Sequence, residues 1–162
     1  MSTLDNTNRY PITPTTTATA YATDDAFGAP TGAVKFSPNG VTGAFLQHFD
    51  GVLKGSVAVP LDVQIYFGAL TTAVVDNAVF ALATADVFNL VARFTIAAAD
   101  WVALPGVVGG AFSVHKDLTD LFIAGAGEYS VAILVGTGGP FTPSVANALQ
   151  LSIIAEQAPP SL

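Results

Sequence analysis

With 162 residues, 51% of them hydrophobic and only 10% charged, the chain has the length of one domain and far fewer charges than the roughly 25% of an ordinary globular protein. Its net charge of −7 comes from twelve acids against five bases, and no two of the bases are adjacent, so no basic stripe exists to displace counterions from a phosphate backbone and direct nucleic-acid binding is not expected. The absence of cysteine removes disulfides, thiolate metal sites and thiol nucleophiles together.

A surface of Ala, Thr, Gly and Ser with so few charges has little electrostatic protection against association. Much of it is therefore expected to be covered by other protein. The first residues lack the basic start and apolar run of a signal peptide, which predicts synthesis in the cytoplasm. Tyr129 to Ala155 is uncharged and long enough to suggest a membrane span. Gly136, Gly138, Gly139, Pro140, Pro143, Asn147 and Gln150 divide it into strand, loop and strand, so no membrane partner is expected.

In chain order, residues 1–14 are polar, and Pro11 and Pro14 argue against a regular ladder. They are read as an extended N-terminal arm. Thr15 to Tyr21 alternates Thr and Ala into an aromatic and predicts a first edge strand. Asp24 to Pro30 is a loop, Gly32 to Phe36 a short strand, and Ser37-Pro38-Asn39-Gly40 a turn. Val41 to Phe49 reads as a strand, with Asp50-Gly51 as a hairpin turn into Val52 to Val59. Leu61 to Phe67 alternates strictly: Leu61, Val63, Ile65 and Phe67 point one way, Asp62, Gln64 and Tyr66 the other. Thr71 to Asp86 is a crossover, as a short helix or irregular chain.

Leu90 to Ile96 returns to alternation, and Ala97 to Trp101 is a turn that sinks the single tryptophan. Leu104 to Gly110 is a loop. Ala111 to Val114 and the segment through Ile123 are strand-like, and Gly125 to Gly127 turns the chain. Glu128 to Val135 is apolar on both alternating sets and is expected to be covered on both faces. Gly136 to Pro143 is a loop before the Leu149 to Ile153 strand, and residues 158–162 form a tail. These elements predict an all-β fold: an antiparallel β-sandwich, jelly-roll-like, of about eight strands over residues 15–157. The predicted core is Leu61, Val63, Ile65, Phe67, Phe94, Ile96, Trp101, Val131, Ile133, Leu149, Leu151 and Ile153.

Candidates for chemistry are few. His48 and His115 fall in or at the end of strands, and no His-x-His or His-Glu-x-x-His spacing is present to hold zinc. A polar edge position is the better reading of each, so no catalytic, cofactor or metal residue is assigned and the chain is read as not an enzyme. Asp24-Asp25 and Asp117 with Asp120 lack the calcium-loop pattern and read as solvated loop acids. Gly136-Thr137-Gly138-Gly139 lacks the ending of a phosphate cradle. Phe27 and Phe141 fall in loops and can anchor a subunit interface. The candidate interface residues are Arg9, Tyr10, Pro11, Ile12 and Pro14 of the arm, with Phe27, Pro140, Phe141 and Pro143.

Five landmarks taken in order resemble a family of small virion proteins from tailed bacteriophages. They are the Thr-rich start from Thr15 to Asp25; the Leu61 to Phe67 strand; Asp76-Asn77-Ala78-Val79-Phe80 followed by Ala85-Asp86; Tyr129 to Thr137; and Phe141-Thr142-Pro143 running through Leu149 to Ile154. The resemblance spans about Thr15 to Gln157. It departs at Gly68 to Thr71, where an acidic-Pro turn is usual, and at Gly138 to Pro140.

What the resemblance implies is a structural virion protein on the outer capsid surface. In that role it decorates and cements the head by bridging major capsid protein subunits, as a homo-oligomer with a trimer favoured. The alternative is a tail, baseplate or fibre module that binds a host glycan in a groove lined by Trp101 or tyrosines. A cell-wall hydrolase would need paired carboxylates, for which Asp117, Asp120 and Glu128 are the clustered acids.

Overall fold

A computed structural model of the chain describes residues 7–28, 34–35, 43–124, 127–137 and 140–157. The alternation of Leu61 to Phe67 forms a strand over the predicted residues (β4). Around it lie β1 (Thr7–Ile12), β2 (Val34–Lys35), β3 (Gly43–Lys54), β5 (Leu90–Ile96), β6 (Val102–Ala103), β7 (Ala111–Ala124), β8 (Glu128–Val135) and β9 (Leu149–Gln157). A single helical turn, α1 (Thr84–Val87), precedes β5.

The strands form two antiparallel sheets, ordered β1-β9-β3-β7-β6 and β2-β8-β4-β5. Among the described strands, only β4–β5 and β6–β7 are consecutive within one sheet, and the other connections cross to the opposite sheet. That is the double Greek key of a jelly roll, with β6 added at one edge. The inner faces meet in a single core that includes Leu46, Phe49, Leu53, Leu61, Val63, Ile65, Ile133, Leu151 and Ile153. Trp101 sits in the same core, and its indole N–H donates to the Val59 carbonyl at 2.7 Å.

The outer face of the four-stranded sheet is also covered. Tyr66, Ser130 and Leu134 point away from the intersheet core and are nonetheless buried. Ser130 Oγ donates to the Gly68 carbonyl at 2.7 Å, and the Tyr66 ring lies 6.5 Å from that of Phe80 in the crossover. Beyond the short β2, β8 pairs with the loop that follows Tyr21: Phe27 N–H donates to the Ile133 carbonyl and Val135 N–H to that of Asp25. This covering explains why both alternating sets of β8 are apolar.

Four sequence expectations are corrected. Residues 7–12 are no free arm, because β1 pairs antiparallel with β9 from Thr7↔Glu156 to Ile12↔Leu151. An edge strand has one side without ladder partners, which is where Pro11 is tolerated. Thr15 to Tyr21 makes no strand; it bends and buries Tyr21. Asp50-Gly51 makes no turn, since β3 runs straight through it between Val114 of β7 and Leu151 of β9. A Cβ on Gly51 would lie 2.9 Å from both Leu151 Cδ2 and Val114 Cγ1, so this glycine serves close packing rather than chain reversal. Of the predicted core, Phe67, the last residue of β4, is 48% exposed, and Phe94 on the edge strand β5 is only partly buried, its ring 5.2 Å from that of Phe49. The turn at Gly125 and Ala126, Gly138, Gly139 and the tail at 158–162 lie outside the described residues.

Candidate functional site

The predicted interface residues divide by burial. Ile12, Pro14, Phe27, Phe141 and Pro143 are buried in the chain's own fold, which corrects their assignment as contacts for a partner. Phe27 packs edge-on against Tyr21 at 4.9 Å and Phe141 at 5.6 Å. Tyr21 and Phe141 exchange two backbone hydrogen bonds, of 2.8 and 3.0 Å. The proline-flanked loop is therefore stapled onto the N-terminal segment, and its phenylalanine closes the end of the core. Arg9, Pro11 and Pro140 are exposed and Tyr10 is half-buried against the core.

Several exposed apolar side chains lie instead at two sheet edges. Phe88 is 90% exposed, Val87 48% and Val91 40%, at and just before β5, the edge strand of its sheet. Val102 on β6 and Val107 and Val108 in the following loop are exposed at the edge of the other sheet. β5 packs against β7 beside β6, so these two edges lie on one side of the molecule. No feature of the alternation marks them, because β5 is regular in sequence and its partner strand is what is missing.

The grooves that other readings need are not built from the expected residues. Trp101, Tyr21, Tyr66 and Tyr129 are all buried, so none offers a ring on which a sugar could stack. Glu128 lies on β8 and Asp117 on β7, in different sheets; the side chain of Asp120 lies outside the described residues. Asp25 is buried, and its carboxylate accepts the Ala22 N–H at 2.7 Å, a local turn contact.

One polar cluster was invisible in the sequence. The β3–β7 ladder sets His48 opposite Asp117 and Asp50 opposite His115, all on the outer face of the five-stranded sheet. His115 Nδ1 lies 2.8 Å from Asp50 Oδ1, and its Nε2 lies 3.3 Å from Asp117 Oδ1. His48 Nε2 is 4.0 Å from Asp50 Oδ2, and the two imidazoles are 4.7 Å apart. The hydrogen bond to Asp50 raises the pKa of His115 above its ordinary value, with slight burial pulling the other way and the charges of Asp50 and Asp117 adding to the rise. Among the described residues this is the one group of three or more His, Asp or Glu side chains with the proximity to hold a metal. A cross-strand pair leaves no fixed spacing in the chain, which is why a search for local motifs misses it.

No protein-family model and no curated protein sequence matches this chain.

Proposed function

We propose that this protein is a structural virion component, a decoration or cement protein that bridges major capsid subunits on the outside of a tailed-phage head. The single observation that carries the reading is the unpartnered apolar margin of β5 and β6 on a chain with 10% charge. Exposed valine and phenylalanine at a sheet edge favour burial against protein, and the open edge of β5 offers backbone groups for strand addition. The ordered landmarks from Thr15 to Ile154 that resemble small phage virion proteins support the same reading. The subunit would self-associate as a trimer at three-fold positions, and repetition over the shell would make modest contacts sufficient.

The contact elements proposed here are the β5 and β6 margins rather than the N-terminal segment and the Phe141 loop, because Ile12, Phe27 and Phe141, the apolar side chains those two would offer, are buried in the chain's own core. Replacing Phe88 and Val91 together by Glu tests this. The double variant should keep the β-rich circular dichroism of the parent and lose both self-association and binding to heads that lack the protein. Retention of both would remove this margin from the account.

A further inference from the structure

We propose that His48, Asp50 and His115 form a binding site for one divalent transition metal of the zinc class, with Asp117 as the group that orients His115. The site lies on the outer face of the five-stranded sheet, away from the apolar margin of β5.

Strand irregularity carries the first part of the argument. Up to Leu46 the even-numbered residues of β3 face the core, and from Phe49 the odd-numbered ones do. The change comes at Gln47, an extra residue on β3: Leu46 pairs with Ala155 and His48 with Ile154 of β9. Without this bulge the alternation would aim His48 inward; with it, His48 joins Asp50 on the outside. The bulge turns His48 outward, and the register step on β7 at the same point, from Leu121 to Asp117, brings it opposite Asp117 and beside His115.

Geometry carries the second part. Four-coordinate zinc with bonds of about 2.0–2.1 Å spaces its donor atoms roughly 3.3 Å apart. The two gaps about the Asp50 carboxylate, 2.8 Å from Oδ1 to His115 Nδ1 and 4.0 Å from Oδ2 to His48 Nε2, bracket that spacing. One ligand atom from each of the three residues lies within 4.8 Å of the others, so small side-chain rotations suffice. The backbone beneath is held, since β3 is paired on both sides, to β7 and to β9.

Chemistry selects the ion. Two imidazole nitrogens and one carboxylate oxygen suit zinc, cobalt or nickel, whereas calcium and magnesium require oxygen ligands. Asp117 contacts the far nitrogen of His115 at 3.3 Å. A carboxylate there accepts the Nε2 proton and leaves the Nδ1 lone pair for the metal, the usual support behind a ligating histidine. Three protein ligands leave a fourth position for water.

The test is calorimetric titration of ZnCl2 into tag-free full-length protein. One saturable equivalent per chain at micromolar concentration is expected, unaffected by excess Ca2+ or Mg2+. His48→Gln, Asp50→Asn and His115→Gln should each abolish saturable binding. Asp117→Asn should weaken it about tenfold, the low end for a partner behind a ligating imidazole. Glu156→Gln, on the same face and bonded to Gln47, should change nothing. Because the chain has only two histidines, proton NMR gives a reading that needs no variant: zinc should shift both imidazole signals together. Absence of saturable binding, equal affinity in the histidine variants, or zinc that moves neither imidazole signal would overturn the proposal.

Discussion

Asp76 in the crossover holds Tyr21 of the N-terminal loop from 55 residues away, accepting its phenolic hydrogen at 2.7 Å on Oδ1. The same carboxylate accepts the Gly28 N–H at 2.8 Å and, on Oδ2, the Thr17 N–H and hydroxyl at 3.0 and 2.8 Å. Next to it Asn77 adopts a φ of 58°, a left-handed conformation that asparagine tolerates better than most residues. The Asp76-Asn77 pair is thus a structural staple of the layer that covers the four-stranded sheet. Burial pushes the Tyr21 pKa up to about 12, so the phenol stays a donor at any ordinary pH.

Asp76→Ala should therefore destabilise the protein by about 1–3 kcal/mol, the cost of leaving partly buried donors without an acceptor. Urea unfolding checks this. A change within error would mean that water replaces the carboxylate without loss.

Asp86, fully buried, does the same work at the other end of the crossover. Its two oxygens accept the backbone N–H and hydroxyl of both Thr71 and Thr72, which hold its pKa down at about 2 from an ordinary 3.8. The hydroxyl of Thr72 contributes most to that lowering. Because the folded value is the lower one, this stabilisation is fully present above about pH 3.8 and is lost as the pH falls toward 2. The thermal midpoint of the wild type should fall through that window, and Asp86→Asn should fall less steeply there while being less stable at neutral pH. Parallel acid profiles would contradict this assignment.

Regular apolar or alternating runs bounded by turn residues were legible as strands. Leu61–Phe67, Leu90–Ile96 and Glu128–Val135 match their predicted bounds, because period-two alternation is a direct imprint of the pleat. The ends were not legible. Phe67 continues the apolar set of β4, yet its ring stands outside, 5.6 Å from that of Tyr129 and 48% exposed. Leu151→Ala or Ile133→Ala, both at buried positions, should cost about 2–5 kcal/mol by leaving a cavity. Phe67→Ala should cost clearly less than either. Equal losses in denaturant titration would show the Phe67 ring to be part of the core.

Gly51 shows why local chemistry misled. Asp-Gly is a strong turn signal when read alone, but the surroundings of Gly51 are long-range: Val114, Leu151 and, at 3.5 Å, Trp101. Gly51→Ala should destabilise by about 1–3 kcal/mol through overpacking. An alanine variant as stable as the wild type would show that Val114 and Leu151 can move aside.

The candidate surfaces were less legible than the strands, for the same reason. Phe27 and Phe141 look available in sequence because loops are usually outside, and only the pairing of Tyr21 with Phe141 turns them inward. Phe88, just before β5, is 90% exposed beside an edge strand, and which strand forms the edge is set by long-range pairing. His48 and His115 lie 67 positions apart in the chain (115 − 48) and meet only through the β3–β7 ladder.

The most direct test of the proposed shell role is the copy number of this protein per particle, measured by quantitative mass spectrometry against the major capsid protein in purified virions. A decoration protein that contacts each repeat of the head through its β5 and β6 margin predicts hundreds of copies. A handful of copies, or none, would contradict it.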